Sequence, residues 1–264
     1  MKTLKNKKVV ISGGSSGIGK AIIKELIKEG AEDFAVIGRD LNKLKDLETT
    51  FPEANFLLLQ GDISKSENIL EFTSKIQEIW NSVDLLINSA GVVSAGALEK
   101  ISDEDIINQV NINVTGLILL TKHLLPLLKK SEESGIVNVS SGLGLIGLPF
   151  YTPYAASKGA VRMFSEALRR ELEEHSPIKV LTVYPTATDT AMMKSAKTEK
   201  MDTAELVAQK TIEGLMDNAI DVILGGDQRI ADVNANAADP KEFDKKVSKM
   251  YDTLKERTDN HRSM

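Results

Sequence analysis

Short runs of aliphatic and β-branched residues alternate along this chain with longer segments in which apolar residues recur at helical spacing. The runs are nearly continuous rather than alternating in polarity, which predicts strands buried on both faces. Strands are predicted at residues 8–12, 34–38, 56–60, 83–88, 135–140, 179–184 and 221–224. Helices are predicted at residues 19–29, 41–50, 64–80, 103–130, 154–174 and 203–217. Such alternation is typical of an α/β fold, a doubly wound parallel sheet with helices on both faces.

No linker rich in proline or glycine interrupts residues 1–229, which we interpret as a single domain. Residues 230–264 form a polar C-terminal extension with one apolar stripe at helical spacing, so we predict that the extension is helical. The stripe consists of Phe243, Val247, Met250, Tyr251 and Leu254. The simpler interpretation is a terminal helix packed on the domain. The alternative is an arm that covers a substrate pocket or a neighbouring subunit.

Composition and charge narrow the classes of function. The chain has 264 residues and a net charge of −5, so we expect no basic nucleic-acid-binding face. The absence of cysteine excludes disulfides and thiolate metal ligands, and the three histidines are far apart, so we expect no metal site. The longest apolar stretch, residues 116–128, contains Lys122, His123 and Pro126 and is shorter than the ~20 residues of a membrane span. We expect a soluble cytoplasmic protein without a membrane partner.

The glycine-rich sequence "ISGGSSGIGK", residues 11–20, lies between the first predicted strand and the first predicted helix. Free backbone N–H groups at such a helix start favour an anion, which makes the turn a candidate phosphate cradle. Two alternatives remain: a tight turn without a ligand, or a hydrolase elbow that presents Ser15, since residues 13–17 fit G-x-S-x-G. The elbow needs a nearby histidine, and the chain has few candidates.

Tyr154 and Lys158 lie four residues apart and therefore on one face of a predicted helix. A cation about 4 Å from a phenol, at an effective dielectric constant near 20, favours ionisation by about 4 kcal/mol, or roughly three pKa units. This predicts a phenol pKa near neutrality, where a general acid or base works best. The pair alone is common, so its meaning depends on Ser141 at the end of a predicted strand and on Asn113 in a predicted helix.

Together these residues resemble the short-chain dehydrogenase/reductase family over about residues 5–226. The shared motifs are Gly13, Gly17 and Gly19 in the first turn, Asp62 in "GDIS", "NSAG" at residues 88–91, and Asn113, Ser141, Tyr154 and Lys158 at the family's spacings. The resemblance implies a Rossmann-like fold and a nicotinamide-dependent conversion between an alcohol and a ketone or aldehyde, with a small-molecule substrate. By analogy with the family, we also expect a homodimer or homotetramer.

The resemblance also implies roles for individual residues. Tyr154 is expected to protonate the carbonyl oxygen in reduction, Ser141 to hydrogen-bond it, and Lys158 to lower the pKa of Tyr154 and bind ribose. Asn113 is expected to hold a water that connects Lys158 to solvent. The expected cofactor-binding residues are Gly13, Ser15, Ser16, Gly17, Ile18, Gly19, Arg39, Asp62, Ile63, Asn88, Ala90, Gly91, Tyr154, Lys158, Pro185, Thr188 and Thr190. The chain departs from the family at Ser12, Ser89 and Thr186, which replace threonine, asparagine and glycine.

The end of the second predicted strand bears on the choice of cofactor. Gly38 occupies the position where NAD enzymes place an acid, and Arg39 follows it. An arginine can bind a 2′-phosphate with two parallel hydrogen bonds, so we expect NADP(H) to be preferred and NAD(H) to be possible. The alternative is that Arg39 pairs with Asp40 or lies in solvent.

The substrate leaves a weaker signal in the sequence. Uncharged residues 142–153 include Leu143, Leu145, Ile146, Leu148 and Phe150, which would suit a hydrophobic ketone. The segment after Thr190 corresponds to the family's substrate lid and contains Met192, Met193 and Met201, which can adapt to several shapes. It also contains Lys194, Lys197 and Lys200. These lysines leave open a 3-oxoacyl-carrier-protein reductase, and a catalytically silent dinucleotide-binding protein is a further alternative.

Overall fold

A seven-stranded parallel sheet runs through the centre of the molecule, which a computed structural model describes at residues 1–174, 176, 178–196, 198 and 201–264. The strands are β1 (Lys8–Ser12), β2 (Asp33–Gly38), β3 (Asn55–Gln60), β4 (Leu85–Asn88), β5 (Val93–Ser94), β6 (Ser134–Val139), β7 (Ile178–Tyr184), β8 (Thr188–Asp189), β9 (Asp202–Thr203), β10 (Asp221–Ile223) and β11 (Arg262–Ser263). The main sheet has the order β10-β7-β6-β4-β1-β2-β3, and β11 with β5 and β8 with β9 form two short additional pairs.

Helices cover both faces of this sheet. They are α1 (Gly17–Lys28), α2 (Leu41–Thr50), α3 (Ser66–Ile79), α4 (Asp103–Val110), α5 (Leu117–Leu128), α6 (Thr152–Leu172), α7 (Ala204–Met216), α8 (Gly226–Ala238), α9 (Pro240–Ser248) and α10 (Tyr251–Thr258). In β1, Val9 and Ile11 belong to the core beneath α1, α2 and α7, whereas Val10 belongs to the core beneath α3, α5 and α6. The prediction of a doubly wound α/β domain is confirmed.

The predicted strands of the main sheet all form, with ends that differ by at most two residues. Continuous apolar runs identified them because side chains on both faces are buried. The helix predicted over residues 103–130 differs from the structure. It is divided into α4 and α5 by a π-helical segment, Asn111–Gly116. The apolar pattern, which continues at helical spacing through residues 111–116, does not predict this wider turn.

One helical run of the described residues, Asp103–Leu128, is long and apolar enough to pass as a membrane span by length and composition alone. This run comprises α4, the π-helical segment and α5. Its buried leucines, such as Leu120 and Leu124, pack in the core beneath α3 and α6. A core helix passes the same test, so the run is weak evidence for a membrane span.

The C-terminal extension contains α9, α10 and most of α8, and α8 crosses the predicted boundary between residues 229 and 230. From the predicted apolar stripe, Phe243 and Leu254 are buried, but Met250 and Tyr251 are exposed. The chain then turns back so that β11 pairs antiparallel with β5, a strand that follows the end of β4. We call residues 226–264 the roof, because part of this segment closes the cleft described below.

A buried acid fastens the end of the roof. The Asp105 carboxylate accepts two hydrogen bonds from the Arg262 guanidinium, at 2.7 and 2.8 Å, and one from the Ser94 hydroxyl at 2.9 Å. Arg262 is largely exposed, so the ion pair itself contributes modestly. The hydrogen bond from Arg262 is the main cause that lowers the pKa of Asp105, and the hydrogen bond from Ser94 adds to it. The Ala95 N–H also donates to the His261 carbonyl at 3.0 Å.

Replacement of Asp105 by alanine should loosen β11 without unfolding the domain, because it removes three of these hydrogen bonds. We expect hydrogen exchange of the Ala95 amide to accelerate by about tenfold or more. Glu104→Ala, which removes an exposed neighbouring acid, is the control and should leave this amide unchanged. Equal exchange rates in both variants would show that Asp105 does not hold the roof.

Candidate active site

The turn between β1 and α1 approaches the end of β4 so closely that only glycine fits. Gly13 has φ +71°, and a Cβ added there would lie 2.7 Å from the Cα and N atoms of Ala90. A Cβ at Gly19 would lie 2.3 Å from the Gly13 carbonyl oxygen. No side chain of the described residues caps the first turn of α1, and Ser16, Gly17 and Ile18 at this helix start line the cleft beside it. These features fit an anion cradle.

The hydrolase alternative has no geometric support. Ser15 does not line the cleft next to the turn. Among the hydrogen bonds of the described residues, none joins Ser15 to a histidine. A nucleophilic serine needs such a base.

The cleft has a volume of about 570 Å³ and opens at the carboxyl ends of the strands, where parallel α/β sheets bind ligands. It brings together most of the residues predicted to bind a cofactor: Gly13, Ser16, Gly17, Ile18, Arg39, Ala90, Gly91, Tyr154, Lys158, Pro185, Thr188 and Thr190. Other predicted residues do not line it: Ser15, Gly19, Asp62, Ile63 and Asn88.

Ser141, Tyr154 and Lys158 share one part of the cleft. Ser141 follows β6, and its hydroxyl accepts a hydrogen bond from the Leu143 N–H at 3.1 Å. Tyr154 lies in the first turn of α6 and Lys158 one turn later, both buried. The Lys158 Nζ donates to the Val139 carbonyl at 3.0 Å and lies 5.8 Å from the centre of the Tyr154 ring.

The predicted pKa of Tyr154 is wrong for this structure. Burial raises the pKa of the Tyr154 phenol to about 12, and the nearby Ser141 hydroxyl lowers it only in part. Burial also lowers the pKa of Lys158 to about 8. Both groups are buried, and desolvation is the largest cause of both pKa shifts. Desolvation therefore outweighs their attraction.

Asn113 lies behind this group, buried in the π-helical segment. Its amide oxygen accepts from the Val92 N–H at 2.8 Å, and its amide nitrogen donates to the Val92 carbonyl at 2.9 Å and to the Ser157 hydroxyl at 3.0 Å. A Cβ at Gly91 would contact both the Asn113 Oδ1 and the Lys158 Nζ, at 3.4 and 3.3 Å. Because the side-chain amide of Asn113 already has these partners, we assign the predicted water to its backbone carbonyl.

Asn88 and Asp62 have structural partners rather than positions in the cleft. The Asn88 amide nitrogen donates to the Thr121 hydroxyl at 3.0 Å and to the Asn138 Oδ1 at 2.8 Å, which ties β4 to α5 and β6. The Asp62 carboxylate accepts from the Ser64 N–H at 2.8 Å. The two side chains stabilise loops and strands around the cleft.

The departures from the family pattern find local partners. The Ser12 hydroxyl accepts from the Ala90 N–H at 3.4 Å, and the Ser89 N–H donates to the Ser12 carbonyl at 3.1 Å. These bonds connect the ends of β1 and β4. The Thr186 hydroxyl donates a short hydrogen bond to the Asp202 carboxylate, at the base of the predicted lid where β8 pairs with β9.

Arg39 lies at one end of the cleft without the acid partner considered from the sequence. Asp40 instead caps α2 by accepting from the Asn42 and Lys43 N–H groups, and its carboxylate lies 3.7 Å from the Lys43 Nζ. No carboxylate of the described residues lies within ion-pair distance of Arg39. Ser16 and Lys43 line the same cleft, and Lys43 was not predicted. This end therefore presents two cations.

The predicted substrate wall is only partly in place. Leu143 and Leu148 line the cleft, as do the lid methionines Met192, Met193 and Met201. The remaining loop residues point elsewhere: Leu145, Ile146 and Phe150 do not line it. Lys194 does not line it either, while Lys197 and Lys200 lie outside the described residues.

Sequence reasoning missed the contribution of the roof. Arg229, Arg257, His261 and Ser263 all line the cleft. His261 is buried, its Nδ1 lies 3.0 Å from the Ser195 Oγ, and its ring packs edge-on against Tyr151 at 6.0 Å. Burial lowers the pKa of His261 to about 4, so it is neutral at neutral pH. This contribution is anticipated only by the alternative interpretation of the sequence, in which the C-terminal extension covers a substrate pocket.

Comparison with known proteins identifies the class of this chain. Residues 7–201 match the short chain dehydrogenase family, and the chain belongs to that family. It is similar to the NADPH-dependent pterin aldehyde reductase of Arabidopsis thaliana, with 32% identity over 71% of this chain and 77% of the relative. It is also similar to the 3-oxoacyl-[acyl-carrier-protein] reductase FabG of Thermotoga maritima, with 32% identity over 76% of this chain and 82% of the relative.

A third similar protein is the 3-ketodihydrosphingosine reductase of Dictyostelium discoideum, with 34% identity over 71% of this chain. The match spans only 61% of that relative. Among solved structures, a short chain dehydrogenase from Burkholderia cenocepacia in complex with NADP superposes with a TM-score of 0.81 at 24% identity, covering 93% of this chain and 98% of that one. A family member from Burkholderia phymatum in complex with NAD gives 0.82 at 22% identity, covering 91% and 96%. These structures support the fold.

Proposed function

We propose that this chain transfers a hydride between NADP(H) and a carbonyl compound or secondary alcohol. The observation that carries the proposal is the shared position of Ser141, Tyr154 and Lys158 on a cleft that also contains the glycine-rich turn. Similar relatives named as reductases support the reaction class. A hydrophobic ketone or aldehyde suits the leucine and methionine side chains of the cleft.

The residues of the cleft fit a dinucleotide. The first turn of α1 has no side-chain cap among the described residues, which suits a pyrophosphate, and Ala90 and Gly91 on the cleft wall admit a close approach. Arg39 and Lys43 suit a 2′-phosphate, with the Ser16 hydroxyl beside them. When bound, the nicotinamide would supply or accept the hydride.

The side chains then divide the remaining work. Tyr154 is a neutral phenol at neutral pH because its pKa is raised, and this is the form that donates a proton to a carbonyl oxygen during reduction. The Ser141 hydroxyl would hold that oxygen. The Lys158 ammonium would bind ribose hydroxyls and stabilise the phenolate left after proton transfer, and the backbone of Asn113 would hold the water for its reprotonation.

We also propose that copies of the chain associate through α4 and α6, which contact each other. Ile107, Val110 and Met163 on these helices are exposed apolar residues. Burial of such a patch between two copies would remove apolar surface from water. The size of the assembly is expected to be a dimer or a tetramer.

Tyr154→Phe should reduce kcat for ketone reduction by about a hundredfold or more, because it removes the proton donor. NADPH binding, measured by fluorescence titration, should change little. Tyr251→Phe, at an exposed tyrosine, is the control and should retain full activity. The same assay should include a carrier-bound 3-oxoacyl substrate, which tests the alternative of an acyl-carrier-protein reductase.

Undiminished turnover by Tyr154→Phe contradicts the proposal. A wild type that binds NADPH but reduces no carbonyl compound supports the other alternative, a catalytically silent dinucleotide-binding protein.

Arg39→Gln should lower kcat/KM for NADPH by about tenfold or more while leaving that for NADH nearly unchanged, because a 2′-phosphate loses a charged partner. Steady-state kinetics with both cofactors measure this ratio. Lys45→Gln removes an exposed charge from α2, the helix that follows Arg39, without touching the cleft and is the matched control. A wild type that uses NADH as efficiently as NADPH contradicts the assignment of Arg39.

The pKa of Lys158 predicts the alkaline limit of NADPH use. Since its folded pKa is lowered to about 8, the ammonium loses its charge as pH rises through that value, whereas Tyr154 remains protonated. The kcat/KM for NADPH in reduction should therefore fall above about pH 8. In Lys158→Arg the charge persists and this fall should disappear. A flat wild-type profile from about pH 7 to 9.5 would assign the ammonium no such role.

A further inference from the structure

We propose that Arg229 and Arg257, contributed by the roof, bind an anionic group of the substrate, a carboxylate or a phosphate. This inference rests on the proposed function and names the chemical class of its substrate: a ketone or aldehyde, or the corresponding alcohol, with an apolar body and an acidic head. Both arginines line the same cleft as Ser141 and Tyr154.

The contacts of Arg257 place it beside the reacting groups. Its Cζ lies 5.9 Å from the centre of the Tyr151 ring, and that ring lies 6.4 Å from the ring of Tyr154. A cation over an aromatic face keeps its in-plane N–H groups available for a ligand. Arg257 also helps to lower the pKa of His261, a sign of positive potential at this point of the cleft.

Arg229 lies on the Ser141 side. A Cβ added at Gly142, the residue after Ser141, would lie 3.1 Å from the Arg229 Cζ. Arg229 also packs over Gly225, where an added Cβ would lie 3.2 Å from its Cβ. The two arginines therefore come from separate helices, α8 and α10, and reach the cleft next to Ser141 and near Tyr154 respectively.

The described residues do not neutralise this pair. No carboxylate among them lies within ion-pair distance of either guanidinium. Asp232, one turn from Arg229, is 2.6 Å from the Lys246 Nζ and also accepts from Gln228. Asp202, an acid that lines this cleft, accepts the hydrogen bond of Thr186.

Two polar atoms at the Arg257 end are buried and have no hydrogen-bond partner among the residues that the structure describes: the Arg257 Nε and the Tyr151 hydroxyl. Tyr151 is only 4% exposed. Burial raises the pKa of its phenol, and the adjacent guanidinium lowers it in part without meeting the geometry of a hydrogen bond. Buried donors without acceptors cost free energy, and an anionic ligand would satisfy both of these.

The site is separate from the proposed 2′-phosphate site. Arg39 and Lys43 follow β2 and begin α2, while Arg257 packs on Tyr151 at the start of α6 and Arg229 on Gly142 after β6. The leucine and methionine side chains that line the cleft would hold the apolar body. An acidic head at the roof would orient the carbonyl toward Ser141 and Tyr154.

The test compares three ketones of equal chain length: an oxo acid, its methyl ester and the matching oxo amine. With NADPH, the wild type should give a kcat/KM for the acid about tenfold or more above that for the ester, and the amine should be the poorest substrate. In Arg257→Gln and Arg229→Gln the acid should lose about tenfold, mainly through KM, while the ester and the Kd of NADPH change little.

Lys255→Gln, which removes an exposed charge from the same helix as Arg257, is the control and should keep the acid preference. Equal use of acid and ester by the wild type overturns the inference but leaves the proposed function intact. So does a weakened NADPH affinity as the main effect of either arginine variant, because it assigns that arginine to the cofactor.

A binding measurement does not depend on turnover or on the variants. We expect a calorimetric titration of a medium-chain alkyl carboxylate into the NADPH-bound wild type to show saturable binding. This binding should weaken as salt is added. An alkylamine of the same length should not bind. Absence of carboxylate binding, or equal binding of the amine, overturns the inference even if no ketone in the panel is reduced.

Discussion

The pairing of β1 with β4 at the centre of the sheet determines where everything else in this protein can lie. Strand β1 has β2 on one side and β4 on the other, so the chain reverses its direction of winding at this point. The loops after β1 and β4 therefore meet above the sheet and leave a crevice between them. They meet at van der Waals distance, since even one methyl group at Gly13 would collide with Ala90. The close approach of these two loops therefore requires glycine at position 13 even when no ligand is bound.

Much of this arrangement could be predicted because it follows from local patterns. Continuous apolar runs predicted the strands, and the glycine-rich sequence predicted the turn between β1 and α1. Side-chain direction was harder. Asn88 belongs to a motif next to the cleft, yet its amide turns to Thr121 and Asn138 in the core. The π-helical turn places Asn113 in hydrogen bonds with Val92 and Ser157, residues distant in sequence that no local pattern encodes.

Tyr154 and Lys158 show that sequence spacing predicts which side chains lie close together better than it predicts their pKa values. Tyr154 and Lys158 do come together as the helical repeat requires. The sign of the pKa change of Tyr154 nevertheless depends on how much water each group loses, and that is decided by residues distant in sequence. Lys158 retains one hydrogen bond, to the Val139 carbonyl, in place of its hydration shell. A neutral phenol next to a buried ammonium is suited to proton donation in reduction.

The residues proposed to select the substrate lie in the roof, whereas those assigned to the reaction itself lie earlier in the chain. The family match ends at residue 201, and the residues assigned to hydride and proton transfer precede that point. Arg229, Arg257 and His261 follow it, yet they line the same cleft. Polar residues near a C-terminus are easily taken for a solvated surface, and here the reversal of the chain at β11 turns some of them inward. In a protein with a net charge of −5, the two roof arginines that line the cleft and have no ion-pair partner among the described residues form a local exception. An acidic substrate explains that exception, because it would supply the acceptors that the described protein groups leave out.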